Sequence, residues 1–277
     1  MEILATMKFN FQRKYLAAPY IIFLVGFIAL PLVVVFYYAF TDVAGNLSLD
    51  AANSFFSNPQ RIGILTNSIW YAFLNTMLCL LIGYPIAMIL ANKKYNKNAV
   101  IVLLFVMPMW INFVIRTWAT KDLLFWLGVT ANANPNYPLA VTIGLVYNFL
   151  PFVILPLYTT MLKMDKSQIE AAQDLGATPF QTFYKVIIPM TMPGIVAAAT
   201  MVFMPTISSQ VIPTVLSEKK VILFGEAIYN AYFRSSTPDA VNIGSFMSLI
   251  MLVFIALTLF ITRKFNKREE QARKHLW

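Results

Sequence analysis

The sequence predicts an all-α integral membrane protein that crosses the bilayer six times. Of its 277 residues, 59% are hydrophobic and only 12% charged, and the mean hydropathy is +0.67. Six apolar stretches are long enough for a helix to cross the hydrocarbon core, which takes about 20 residues. A soluble globular surface is incompatible with that composition. Strands with open edges cannot satisfy their backbone in lipid, so the six stretches are helices.

The first stretch, residues 16–40, follows Lys8, Arg13 and Lys14. It exceeds the apolar core of a signal peptide, about 7–15 residues, and is expected to remain as a span. The others cover residues 69–91, 99–118, 139–162, 190–215 and 243–261. Residues 1–15 form an amino-terminal segment, 16–262 one membrane domain and 263–277 a basic tail. With six spans, one side of the membrane carries fifteen Lys and Arg: Lys8, Arg13, Lys14, Lys93, Lys94, Lys97, Lys163, Lys166, Lys185 and six from Arg263 to Lys274. The other side carries five, Arg61, Lys121, Lys219, Lys220 and Arg234, and Arg116 falls inside a span. The positive-inside rule then places both termini in the cytoplasm. The net charge of +9 is dispersed between apolar stretches and forms no stripe for nucleic acid.

Several chemistries are excluded. Cys79 is the single cysteine and sits in an apolar run, so the chain builds no internal disulfide and no cysteine metal site. His275, the single histidine, lies in the tail, which removes histidine triads and HExxH zinc sites. No glycine begins a G-x-x-x-x-G-K-[ST] loop, so ATP and its Mg, if they drive this protein, are bound by another subunit.

Two connecting segments are long enough to fold. Residues 217–242, on the outer side, read as an amphipathic helix around Phe224 to Phe233 with a turn at Ser235, Ser236, Thr237 and Pro238. Residues 163–189, on the inner side, read as a helical hairpin. Ser167 with Glu170 has the spacing of a capping box, and Gly176 is placed to end that helix in a left-handed conformation. Thr178 with Gln181 is a second box, and Pro179 holds the first helical position. The second helix puts Phe180, Phe183, Tyr184 and Ile187 on one face, expected to rest on an apolar surface. Ala171, Ala172 and Gly176 are small enough for another protein's backbone to come close. Such a knob suits a partner's groove; the alternative is an interfacial connector that touches only lipid.

The row EAAQDLGATPFQTFYKVIIPMTMPGI resembles the EAA motif of ABC importer permeases, with matches at Glu170, Ala171, Ala172, Gly176 and Pro189. The resemblance implies that these residues, with Asp174 between them, form coupling helices that dock into an ATPase, Pro189 closing the second. The rows LLIGYPIAMILA, VMPMWINFVIRTWA and IGLVYNFLPFVILPLY extend it to the polyamine permeases of that class. The outer segment lacks the Trp-Pro pair expected after Asp239, so contacts with a binding protein are not carried over.

Within the spans, Pro193, Pro205 and Pro213 fall in the fifth, and Pro205 is followed by Thr206, Ser208, Ser209 and Gln210. A proline frees a carbonyl and bends the helix, and the polar residues either satisfy it or line a wet path. In the third span Trp110, Asn112, Arg116 and Trp118 lie toward the outer end, where tryptophan anchors at the interface and arginine can snorkel. Arg116, which would repel a cation in a path, is expected to face lipid headgroups, a neighbouring chain or an acidic docking surface of a binding protein. The resemblance moves Trp110 and Asn112, and likewise Tyr147 and Asn148, toward the translocation path.

The resemblance thus implies a type I permease fold and a subunit that catalyses no chemistry. Its partners would be a second, similar permease, two ABC ATPases, an extracytoplasmic binding protein and membrane lipid. Three alternatives stand beside the polyamine importer: an ABC importer for another solute, an ion-coupled secondary transporter and a non-transporting scaffold. The ion-coupled mechanism calls for an ionisable group near mid-bilayer, and no Asp, Glu, Lys or His lies well inside a span.

Overall fold

The computed structural model describes residues 18–92, 100–131 and 134–274. Residues 1–15, Lys93, Lys94, Lys97 and His275, on which parts of the sequence reading rest, lie outside the described residues. The chain runs through helices α1 (Pro19–Ala39), α2 (Asp50–Phe56), α3 (Pro59–Ala91), α4 (Val100–Trp110) and α5 (Phe113–Trp126). It continues through α6 (Tyr137–Leu162), α7 (Lys166–Asp174), α8 (Pro179–Ile207), α9 (Val211–Leu216), α10 (Phe224–Phe233) and α11 (Ala240–Lys274). The helices α1, α3, α6, α8 and α11 are each long and apolar enough to span a membrane.

The third span departs from the expectation of one helix over 99–118. It is broken at Ile111 and Asn112, and α5 leaves α4 at 94°. Pro108 drives the end of α4 into a 3₁₀ turn over Met107–Trp110, and the Asn112 side chain accepts a bond from the Val114 amide (2.9 Å), capping a new helix. The fifth span also differs. It ends at Ile207, Ser208 to Gln210 are irregular, and the chain resumes as α9. At its other end it is continuous with the second helix of the hairpin, because a π-helical stretch, Phe183–Ile187, widens the helix ahead of Pro189. That widening accommodates the missing amide of Pro189, which therefore does not close a helix. The basic tail is not a separate segment, since α11 runs unbroken to Lys274.

The centre of the molecule is the triangle of α3, α6 and α8, where Cys79, Ala87, Val153, Leu157, Ala198 and Val202 are buried together. Small residues set its spacing. A Cβ on Gly83 would meet Val153 at 2.8 Å, and one on Gly194 would meet Thr160 at 2.6 Å. Lipid offers helices no hydrophobic reason to associate, so close packing and interhelical hydrogen bonds carry the cohesion. Asn75 donates to Thr206 (2.8 Å), joining α3 to α8, and the hydroxyls of Tyr84 and Thr191 join the same helices lower down (2.9 Å). The α1 helix packs along α11, and Asn242 donates to the Thr41 carbonyl (2.7 Å) at the end of that pair.

Candidate functional site

The two broken spans meet. A cavity of about 510 Å³ lies between α4, α5, α6 and the α8–α9 break. Its polar wall is Arg116, Asn148, Ser208, Ser209 and Gln210; Phe113, Phe149, Phe152 and Pro205 are among the apolar ones. Four residues that the sequence marks for a wet path, Asn148, Ser208, Ser209 and Gln210, are thus brought to one place. The helix stops there because Ser208, at its carboxyl end, folds its hydroxyl back onto the carbonyls of Met204 and Pro205 (both 3.2 Å). Asn148 lies near the middle of α6, held by a bond from its own amide to the Gly144 carbonyl (2.8 Å).

Arg116 does not snorkel to the headgroups. It is 7% exposed, and its Nε donates to Asn148 Oδ1 (2.9 Å) while Nη1 donates to the Pro108 carbonyl (2.8 Å). The second bond reaches back across the bend, so the guanidinium ties α5 to the end of α4 as well as to α6. The Tyr147 ring lies 5.5 Å from the guanidinium, a cation–π distance. Nothing in sequence spacing announces the Asn148 bond, since the two residues are 32 apart.

The remaining sequence candidates are elsewhere. Trp110 is 81% exposed at the bend and is not part of the cavity wall. Asn112 serves as the α5 cap. Thr206 is fully buried and bonded to Asn75 and to the Val202 carbonyl (2.7 Å), a helix-packing role.

Behind the break, α10 comes into direct contact with the Ser208 backbone at Gly225. The adjacent Glu226 is 1% exposed, and neither carboxyl oxygen has a hydrogen-bond partner among the described residues. Burial pushes its carboxyl above the usual range, and Thr214, Arg234 and Lys219 offset this only in part. The Thr214 hydroxyl already donates to the Gln210 carbonyl (2.6 Å), so it is not free to donate to an ionised Glu226. With the folded value raised, the native state holds a proton that the unfolded chain has released, and stability falls as pH rises through that window. Glu226→Gln is therefore expected to raise the thermal midpoint in detergent at pH 8, by about 2–4 °C for each kcal/mol removed, with the gain vanishing toward pH 4. Midpoints measured across that range check the sign.

The hairpin is the second candidate site. Its turn is a Schellman motif: Gly176 at φ +82° donates to the Gln173 carbonyl (2.9 Å) and Ala177 to that of Ala172 (3.0 Å). The Thr178–Gln181 box forms as expected, with bonds of 3.0 and 3.3 Å. The Ser167–Glu170 box does not, because α7 starts earlier and Asp165 caps it by accepting from the Ser167 amide (3.0 Å). Glu170, Ala171, Asp174 and Gly176 are exposed, and Ala172 is half-buried. The aromatic face divides. Phe183 sits edge-on to Tyr84 of α3 (5.8 Å), whereas Phe180 and Tyr184, 76% and 65% exposed, stack on each other instead of resting on this chain.

Residues 3–271 match the family described as binding-protein-dependent transport system inner membrane component. The spermidine/putrescine transport system permease protein PotB of Haemophilus influenzae is 36% identical over 225 residues, 76% of this chain and 77% of that protein. The protein of the same description from Escherichia coli K12 is 33% identical, covering 75% of this chain and 82% of its own length. Among solved structures, a bacterial alginate ABC transporter in complex with its alginate-bound periplasmic protein contains a chain that superposes with a TM-score of 0.68 at 14% identity, over 92% of this chain and 93% of that one. A chain of the inward-facing MetNI methionine ABC transporter gives 0.56 at 19% identity, over 76% and 98%. The fold is that of a type I ABC importer permease.

Proposed function

This chain belongs to the family of binding-protein-dependent transport system inner membrane components, and from that membership we propose that it forms half of the translocation path of an ATP-driven polyamine importer. It is a multi-pass permease of the inner membrane. The substrate class follows the spermidine/putrescine relatives. The observation that carries the mechanism is the hairpin: a left-handed Gly176 with an exposed flank of Glu170, Ala171 and Asp174, and stacked aromatics that no described residue covers. Two ATPase subunits would take these hairpins from this chain and from a second permease, and an extracytoplasmic protein would deliver the solute. The charge asymmetry supports a cytoplasmic hairpin and cytoplasmic termini.

In this reading the ATPases bind ATP and Mg, and the permease converts their closure into movement. The hairpin is continuous with α8, so displacement at Gly176 passes along that helix toward the break at Ser208, where Ser208, Ser209, Gln210 and Asn148 line the path. Pro189 lies within the connecting helix, and Trp110, Asn112 and Tyr147 flank the bend at its mouth. An ion-coupled carrier is less well supported, because among the described residues the one ionisable group in the cavity wall is Arg116, which stays charged at all ordinary pH.

Reconstitution tests the reading. The chain co-expressed with its neighbouring permease, ATPase and binding protein should hydrolyse ATP faster with spermidine-loaded binding protein and accumulate labelled spermidine in proteoliposomes. Uptake without ATP would overturn the importer; ATP-driven uptake of an unrelated solute alone would overturn the polyamine assignment. Because Glu170 caps nothing, Glu170→Gln isolates its charge. Uptake is expected to fall at least about tenfold, the loss of one charged hydrogen bond of about 1.5–3 kcal/mol, with membrane insertion and helix content unchanged.

A further inference from the structure

We propose that Arg116 is one half of an ion pair whose carboxylate is supplied by the second permease subunit, and that this pair holds the cavity shut until a polycationic solute takes the carboxylate from it. The proposal rests on the importer reading above and adds to it a gate and the chemistry of the facing surface. Three observations lead there. Arg116 is 7% exposed and its guanidinium lines the cavity, yet both of its hydrogen-bond partners among the described residues, Asn148 Oδ1 and the Pro108 carbonyl, are neutral. The one ion pair among the described residues, Lys121 with Glu218, is elsewhere, and the cavity wall contains no acid. A buried charge without a counter-charge is strongly disfavoured, and in membranes such residues pair with one another. Nη2 makes no hydrogen bond among the described residues and is not one of their fully buried unsatisfied atoms, so a donor stays open toward the cavity for a carboxylate oxygen.

The cavity also opens outward from this chain. Phe113, Pro205, Ser208 and Gln210 of its wall are exposed. Exposed serine and glutamine beside a break in the backbone do not face lipid; they face protein or water. In the importer reading the protein opposite is the second permease, and the uncompensated cation calls for an acidic group on it. A polyamine ammonium competes with Arg116 for that same carboxylate, so solute arrival weakens the closure while Arg116 discourages the cation from lodging on this side.

The test reads basal ATP hydrolysis of the assembled complex in lipid nanodiscs with no solute and no binding protein. Arg116→Gln should raise it by about fivefold or more, the scale of a typical allosteric coupling, and Arg116→Lys, which keeps the charge but cannot reproduce both neutral bonds, should recover most of the restraint. Asn148→Asp places an internal carboxylate on the guanidinium. If the partner's carboxylate matters, this variant should also raise basal hydrolysis, because Arg116 is diverted; if Arg116 is only a strut for the bend, the stronger internal bond should leave hydrolysis low. A low rate in Asn148→Asp, or an unchanged rate in Arg116→Gln within a complex of normal composition, overturns the ion pair. No solute enters the measurement, so a wrong polyamine assignment would show in the uptake assay and not here.

Discussion

Gly176→Val is expected to abolish uptake while the chain inserts and folds as before. The residue sits at φ +82°, and a Cβ there meets nothing within 4 Å among the described residues. The damage has two sources outside ordinary packing. A β-branched residue at positive φ costs about 1–3 kcal/mol of backbone strain, which shifts the equilibrium away from the Schellman geometry by about 5- to 150-fold. In the proposed coupling, the open space over Gly176 is where an ATPase groove comes close, and an isopropyl group would stand in it. Gly176→Asn separates the two, since asparagine tolerates the left-handed region but still adds bulk. Uptake lost in both variants, with ATPase failing to co-purify, places the fault in docking; uptake kept in Asn but lost in Val places it in the backbone. Normal co-purification and uptake with valine would remove Gly176 from the coupling surface.

The hairpin and the six apolar stretches were legible because local rules determine them. Thr178, Pro179 and Gln181 are a capping box by spacing alone, and Gly176 is where a left-handed residue has to be. The reading failed where two local signals competed. Asp165 and Ser167 are both good caps, and the earlier one starts α7. Pro108 and Asn112 are a breaker and a cap in the middle of an apolar run, a sign of the 94° bend that hydropathy alone overrides. The candidate site was legible only in its polar members. Ser208 to Gln210 stand out after Pro205, but the burial of Arg116 depends on Asn148, and that of Glu226 on the contact of α10 with α8, and neither pairing has a period or motif. Of the surroundings the sequence allows Arg116, the headgroups are the one that the rule for arginine at a span end favours, and tertiary structure overrides it by folding the span end inward and taking the arginine with it.

That contact carries the last prediction. Gly225→Ala should reduce uptake at least tenfold, a larger effect than one methyl group usually has. An added Cβ would lie 2.1 Å from the Ser208 carbonyl oxygen, 2.4 Å from its carbon and 2.9 Å from its Cα, all backbone atoms that cannot rotate away. The start of α10 is fixed on its other sides, because the Phe224 amide donates to Ser68 (2.7 Å) and the Phe224 ring packs edge-on to Phe55 (6.3 Å). Relief must therefore come from the α8–α9 break, the segment that lines the cavity. Gly144→Ala is the control: its Cβ would fall 2.0 Å from Leu216 Cδ1, the far end of a side chain that can change rotamer, so the same nominal overlap should cost only the 1–3 kcal/mol or so of core overpacking. Labelled-solute uptake and thermal midpoints of the two variants, measured side by side, decide the matter. If Gly225→Ala transports normally, α10 and the break part company in the working transporter, and the outer helix has no grip on the path.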